Sequence, residues 1–121
     1  MKVLIIDDSE IMRRIHSNTL KEHHVEEVEL FEASDGSEAL KIAIENDIGL
    51  FLVDWNMPKI DGISFVKEIR KTQKYHDTPI IMITSEAAKY MVIEAIEAGV
   101  TNYITKPIKG DLLWEKISKY F

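Results

Sequence analysis

The chain has 121 residues, of which 45% are apolar and 30% are charged, a composition typical of one globular domain with its own core. It contains no cysteine, which excludes disulfides and thiolate metal sites, and its formal net charge of −6 argues against nucleic acid as a partner. No apolar run approaches the ~18 residues of a membrane span, and the N-terminus becomes acidic too early for a signal peptide, so we expect one cytoplasmic domain over residues 1–121.

The first part of the chain alternates short apolar runs with amphipathic segments. Residues 3–6 predict a buried strand, and Ser9 is a suitable N-cap for the helix that follows. Residues 28–32 mix polar and apolar side chains and predict a second strand in a wetter environment, and residues 39–44 predict a second helix. The predicted inward faces of these two helices consist of Ile11, Met12, Ile15, Leu20, Ala39, Leu40, Ala43 and Ile44.

The third apolar run has the most informative ending. Residues 50–53 are all apolar and run directly into Asp54, and Pro58 prevents the strand from continuing. A buried strand therefore delivers a carboxylate to the end of the sheet. A charge in that position is costly unless other groups pair with it.

The remaining chain repeats the alternation of strands and helices. Residues 79–85 predict a fourth strand that ends in hydroxyl side chains, and residues 102–105 predict a shorter, more polar strand that runs into Lys106 and Pro107. Gly99 is suited to end the helix between these strands. Three helices are predicted in this part of the chain, over residues 63–69, 88–96 and 113–121.

Alternating strands and helices predict an α/β fold, a parallel sheet with helices on both faces. The first, third and fourth runs are the most apolar and suit central strands, whereas the second and fifth suit the edges. The order 2-1-3-4-5 of a flavodoxin-like (βα)5 domain satisfies this pattern. In such a sheet the crevice lies at the carboxyl ends of strands one and three, which carry Asp7, Asp8 and Asp54.

Three carboxylates in one crevice repel each other. At ~5 Å and an effective dielectric constant of ~20, each like-charged pair costs roughly 3 kcal/mol, which a bound cation or a raised pKa relieves. No cysteine is available and no histidine follows a strand end, so we predict a hard, oxygen-seeking ion, Mg²⁺, rather than zinc. Lys106 and Thr84 also follow strands, and together these groups suit a phosphoryl group.

These residues resemble the receiver domain of bacterial two-component response regulators along the whole chain. The resemblance rests on Asp7 and Asp8 after strand one, Asp54 after strand three, Thr84 after strand four, and Lys106 with Pro107 after strand five. A closer similarity to the CheY-like chemotaxis regulators rests on residues 12–15, 54–58 and 84–87.

The resemblance implies a role for each residue of the crevice. Asp54 is the expected phosphoacceptor, and the Mg²⁺ ligands are expected to be Asp8, Asp54 and the Asn56 carbonyl, with Asp7 acting through water. Lys106 is expected to pair with the phosphate. Thr84 would move toward the phosphate and Tyr103 would rotate inward behind it. Asn56 and Glu86 are the expected determinants of how fast the acyl phosphate hydrolyses.

The resemblance also implies partners. The phosphoryl donor is a histidine kinase of the CheA type, the flagellar motor switch protein is the expected target, and a phosphatase is a further expected partner. The target would bind around helix four, strand five and helix five, where Ala87, Tyr103 and Lys116 fall at matching positions. Nothing follows the last helix, so we expect a stand-alone receiver without an output domain. We also expect a monomer.

Two other functions fit the same residues. A phosphorelay intermediate or phosphate sink would use the same acceptor and pass the phosphoryl group on. A Mg²⁺-dependent phosphohydrolase acting on small molecules would need a second acid or base near Asp54, and position 56 is an asparagine. We expect no such turnover enzyme.

Several residues have simpler interpretations. Asp7 and Asp8 could cap the first helix, and Thr84 or Ser85 could cap the fourth. We predict that Trp55 is half-exposed and that the Lys106–Pro107 peptide is cis, as in the resembled family. The side chains predicted to be solvated are His16, His23, His24, Arg13 and Arg14.

Overall fold

A computed structural model describes residues 1–23, 28–108 and 111–121. Within these residues five parallel strands form one sheet in the order β2-β1-β3-β4-β5, which confirms the predicted topology. The strands are β1 (Lys2–Ile6), β2 (Glu29–Ala33), β3 (Ile48–Val53), β4 (Ile80–Thr84) and β5 (Asn102–Thr105).

A helix follows each strand in the described part of the chain. The helices are α1 (Glu10–Glu22), α2 (Gly36–Glu45), α3 (Gly62–Lys71), α4 (Lys89–Ala98) and α5 (Leu112–Ile117). Short 3₁₀ turns follow α3 at Gln73–Tyr75 and α5 at Ser118–Tyr120. No helix in the described residues is long and apolar enough to cross a membrane.

The two faces of the sheet bury two separate apolar clusters. In β1, Leu4 and Ile6 pack with α2, α3 and α4, whereas Val3 and Ile5 pack with α1 and α5. This division follows from the alternation of side chains along a strand. All residues of β4 and nearly all of β1 and β3 are buried, as expected for strands covered on both faces.

Helix ends follow the chemistry of the capping residues. The side chain of Ser9 accepts a hydrogen bond from the Met12 amide, and Asp61 accepts one from the Ser64 amide. Gly99 ends α4 with a φ of 113°, a conformation that favours glycine. The predicted caps at Ser9 and Gly99 are confirmed.

The predicted inward face of α1 is wrong in its first two turns. Ile11 is 71% exposed and Ile15 is 49% exposed, whereas His16 and Leu20 are buried. Residues four apart lie on one face of a helix, so the inward stripe runs through positions 12, 16 and 20. The prediction that His16 is solvated is therefore also wrong.

Other side chains depart from the predicted burial. Ile44 in α2 and Ile96 in α4 are exposed, because the buried face of each helix does not include all of its apolar residues. Trp55 is buried rather than half-exposed, because its ring packs in the cluster with α3. The last helix ends at Ile117, and Phe121 lies beyond the following turn. The prediction for His24 lies outside the described residues.

Candidate functional site

The ends of β1 and β3 bring the three predicted carboxylates together. Ile6 and Val53 are paired across the two strands, so the residues that follow them lie side by side. The Asp54 amide donates a hydrogen bond to the Ile6 carbonyl over 2.9 Å, which extends this pairing by one residue. Carboxylate oxygens of Asp7, Asp8 and Asp54 lie within 4.8 Å of one another, a spacing that could hold a metal ion.

Burial makes this aspartate cluster electrostatically unfavourable. Asp7 and Asp54 are buried and Asp8 is exposed. Partial desolvation, followed by the neighbouring charge of Asp7, raises the pKa of the Asp8 carboxyl. A hard cation with oxygen ligands would relieve this repulsion directly, because it holds all three groups in their charged form.

Lys106 provides part of the missing positive charge. Its Nζ donates hydrogen bonds to Asp7 Oδ2 over 2.7 Å and to Asp54 Oδ2 over 3.2 Å. Burial by itself would lower the pKa of Lys106, but the hydrogen bond to Asp7 and the charge of Asp54 outweigh it and raise that pKa. The Lys106–Pro107 peptide is cis, as predicted.

Backbone amides hold the buried carboxylates in place. The Trp55 amide donates to Asp54 Oδ1 over 2.7 Å, and the Ser9 amide donates to Asp7 Oδ1 over 2.9 Å. Asp54 is thus fixed by one amide and one ammonium group. These two contacts orient the Asp54 carboxylate, which can act as a nucleophile or as a ligand.

Thr84, Tyr103 and Asn56 meet at one residue, Glu86. The Thr84 hydroxyl accepts a hydrogen bond from the Glu86 amide over 3.4 Å, and the Tyr103 hydroxyl donates to the Glu86 carbonyl over 2.5 Å. Asn56 Nδ2 donates to Glu86 Oε1 over 2.8 Å. The loop after β4 is therefore linked both to the loop after Asp54 and to β5.

The environment of Tyr103 is partly apolar. The side chain is half-buried, and desolvation, with smaller contributions from Glu86 and Asp54, raises the pKa of its phenol. Ala87, in the loop before α4, and Lys116, on α5, are exposed. Tyr103 lies on β5, the edge strand next to β4. Helices α4 and α5 pack on opposite faces of the sheet near this edge.

Comparison with known proteins is consistent with this geometry. Residues 3–118 match the family described as response regulator receiver domain. The chain belongs to the response regulator receiver family.

Named relatives place this receiver domain among the CheY-like members. It is 46% identical over 118 residues to the chemotaxis protein CheY homolog of Campylobacter jejuni, covering 97% of this chain and 89% of that protein. It is 45% identical to CheY1 of Helicobacter pylori, covering 97% and 94%. The solved structure of CheY4 from Vibrio cholerae superposes with a TM-score of 0.89 at 33% identity, covering 99% of this receiver domain and 98% of that chain.

Two residues near the site of the receiver domain were not predicted to take part. Arg13 was predicted to be solvated, but its Nη1 donates to the Asp7 carbonyl over 2.6 Å and its Nε pairs with Glu32 over 3.1 Å. His16 lies one turn further along α1 and is buried. The available signal was spacing along the helix: His16 is four residues from Met12 and Leu20, and Arg13 is four residues from Ser9 and Ser17. Ile11 and Ile15 obscured this signal, because they are apolar but exposed.

Proposed function

We propose that this receiver domain is a CheY-like phosphorylation switch in which Asp54 accepts a phosphoryl group from a histidine kinase in the cytoplasm. In the transfer, a carboxylate oxygen of Asp54 attacks phosphorus, the P–N bond to the kinase histidine breaks, and the nitrogen keeps the bonding electron pair. The observation that carries the proposal is the Lys106 ammonium, 3.2 Å from Asp54 Oδ2 and 2.7 Å from Asp7 Oδ2. A phosphoryl oxygen can take over such a contact.

Mg²⁺ is the cation that suits the aspartate cluster. Asp8, Asp54 and the Asn56 carbonyl would hold the ion, and Asp7 would reach it through water. When bound, the ion neutralises charge on the phosphoryl oxygens. The chain's own contribution is to hold Asp54 rigidly and to place Lys106 beside it.

The contacts of Glu86 support a route from the acceptor to the surface. A phosphoryl group adds ~1.5–2 negative charges beside Asp54 and can draw the Thr84 hydroxyl toward it. Because Thr84 and Tyr103 both contact Glu86, movement of the Thr84 hydroxyl would disturb the Tyr103 contact. Tyr103 would then turn inward and change the surface formed with Ala87 and Lys116. The hydrogen bond between Asn56 and Glu86 supports a role of this pair in setting the rate at which the acyl phosphate hydrolyses.

The chemotaxis names of the relatives favour the flagellar motor switch protein as the target and a CheA-type kinase as the donor. We expect a monomer that binds this target more tightly when phosphorylated, and hydrolysis assisted by a phosphatase. A phosphorelay intermediate or phosphate sink would show no such gain. Binding to the motor switch protein with and without beryllofluoride distinguishes these functions.

Trp55 provides the test of the site. Its amide contacts Asp54, so its fluorescence should change when Mg²⁺ binds and change again when beryllofluoride binds Asp54. In Asp54→Asn the second change should be lost. A wild-type protein unresponsive to both additions would refute the proposal.

A matched control keeps this test specific. Trp114 lies on α5, stacked on His23, so Trp114→Phe leaves Trp55 as the reporter of the site without altering the aspartate cluster. The variant should retain both responses. Hydrolysis of a phosphomonoester by repeated turnover would instead favour the phosphohydrolase alternative.

A further inference from the structure

His16 is a buried imidazole that the proposed phosphoryl transfer does not use. The residue is 3% exposed, and neither ring nitrogen has a hydrogen-bond partner among the residues that the structure describes. Buried polar groups in native proteins are nearly always paired, so an unpaired one calls for a physical explanation.

The surroundings of His16 include the cation of the phosphoacceptor site. His16, Lys106 and Ser85 line one cavity of about 520 Å³ between α1 and the segment after β5. The other walls are largely apolar and include Ile15 and Leu113. His16 and Lys106 therefore border the same open space.

The imidazole is neutral at physiological pH. Burial, with a smaller contribution from the positive charge of Lys106, lowers the pKa of His16 to about 4. A neutral imidazole carries one nitrogen with a free lone pair, which is a good acceptor for an ammonium N–H. A protonated histidine could not take that role.

Lys106 has hydrogen-bonding capacity that the aspartates do not use. An ammonium group has three N–H donors, and within the described residues Lys106 Nζ donates only to Asp7 and Asp54. A divalent cation in the aspartate cluster competes for those same carboxylate oxygens. The half-buried ammonium donor would then lose acceptor partners when the cation binds.

We propose that His16 is a positioning residue for Lys106: when a divalent cation occupies the aspartate cluster, the Lys106 ammonium donates a hydrogen bond to the unprotonated nitrogen of His16 and keeps its contact with Asp54. The inference rests on the proposed function. The four-carbon stem of Lys106 and rotation of the imidazole can supply the required movement. No proton is transferred.

The direct test is the ¹⁵N spectrum of the histidine rings during titration with Mg²⁺. The signal of the unprotonated His16 nitrogen should move upfield, as expected when this atom begins to accept a hydrogen bond. The shift should be absent in Lys106→Met. An unchanged His16 signal in wild-type protein saturated with Mg²⁺ would overturn the proposal.

Mg²⁺ affinity, measured by calorimetry, gives an independent readout. His16→Leu removes the acceptor and should weaken Mg²⁺ binding roughly tenfold, the effect of losing one charge-assisted hydrogen bond. His16→Gln keeps a side-chain acceptor and should recover most of the affinity. Thr19→Val is the matched control, because Thr19 lines the same cavity but its hydroxyl donates to the Ile15 carbonyl.

The outcomes separate this inference from the proposed function. If wild-type protein binds Mg²⁺ and His16→Leu binds it equally tightly, the role of His16 is refuted and the phosphoacceptor proposal stands. If wild-type protein binds no Mg²⁺, both are refuted. Should His16→Leu fail to fold, the ¹⁵N titration and His16→Gln still decide the question.

Discussion

At the scale of single residues, the site combines strong negative charge with a partial counter-charge. Asp7 and Asp54 are buried, and the Lys106 ammonium bonds to both. Asp8 adds a third carboxylate on the exposed side of the cluster. The excess negative charge is what a divalent cation would neutralise, and the fixed positions of Asp7 and Asp54 lower the entropy lost when such an ion binds.

The buried imidazole predicts a pH dependence of stability. Because the folded-state pKa of His16 is lowered from 6.5 to about 4, the unfolded chain binds the proton more readily between these pH values. The free energy of unfolding should therefore fall as the pH drops from 6.5 toward 4, by up to about 3 kcal/mol from this residue. Urea unfolding of wild-type protein and His16→Leu across this range measures the difference.

The difference in the free energy of unfolding between wild type and His16→Leu isolates the contribution of His16, because the carboxylates titrate in both proteins. The free energy of unfolding of wild type, measured relative to that of His16→Leu, should fall as the pH drops from 6.5 toward 4. His76→Leu is the matched control, because His76 is exposed and, in the described part of the chain, its imidazole pairs only with the exposed Asp77. Parallel curves for wild type and His16→Leu would contradict this prediction.

At the scale of elements, the loop from Asp54 to α3 is closed by a close backbone approach. The Gly62 amide donates to the Trp55 carbonyl over 2.8 Å. A Cβ on Gly62 would overlap the Asp54 carbonyl and come within 2.8 Å of the Trp55 Cα. Glycine at the start of α3 therefore allows the loop to hold Asp54 in its observed position.

Gly62→Ala should displace this loop. We expect a loss of about 2 kcal/mol or more in the free energy of unfolding, because backbone atoms cannot move aside as a flexible side chain can. Mg²⁺ binding should weaken as well. Denaturant unfolding and Trp55 fluorescence measure the two effects.

Gly49→Ala is the matched control for Gly62→Ala. A Cβ on Gly49 would lie 2.9 Å from Cγ of Met1, a flexible side chain that can move. Its effect on stability should stay within about 1 kcal/mol, with unchanged Mg²⁺ binding. Equal losses in the two variants would show that the close approach at Gly62 is unimportant.

At the scale of the whole molecule, the two ends of the sheet have different roles. The carboxyl ends of the strands carry the aspartate cluster, and Arg70 joins segments at the other end. Its guanidinium donates to the carbonyls of Gly99, Tyr75 and Thr78 over 2.9, 2.8 and 2.6 Å. It also donates to the Thr101 hydroxyl over 3.3 Å. These contacts connect α3 to the segments before β4 and β5.

Arg70→Lys should lower stability without affecting the site. A lysine cannot reproduce the planar set of donors, so we expect a loss of roughly 2–3 kcal/mol. Mg²⁺ affinity should remain at the wild-type value, because the contacts lie at the end of the sheet away from the cluster. Arg14→Lys, at an exposed ion pair with Glu10, should change stability by less than about 0.5 kcal/mol. Weakened Mg²⁺ binding in Arg70→Lys would contradict this separation of roles.

The strand order and the convergence of Asp7, Asp8, Asp54 and Lys106 could be predicted from the chain alone. The first, third and fourth apolar runs are continuous enough to identify buried strands, and polar residues of distinctive type follow them and the shorter fifth run. In a parallel sheet the carboxyl ends of all strands lie at the same end of the sheet, so the residues that follow the strands become neighbours in space.

The rotation of α1, the burial of Trp55 and the contact of Arg13 with the Asp7 carbonyl emerged from packing alone. An amphipathic helix offers more than one plausible inward stripe, and α1 turns Ile11 and Ile15 outward while burying His16. That choice depends on how the helix fits against β1 and α5, a balance of contacts between segments distant in the chain. The spacing of apolar residues within one helix does not contain this information about distant segments. The residue that follows each buried strand, in contrast, can be read directly from the local sequence.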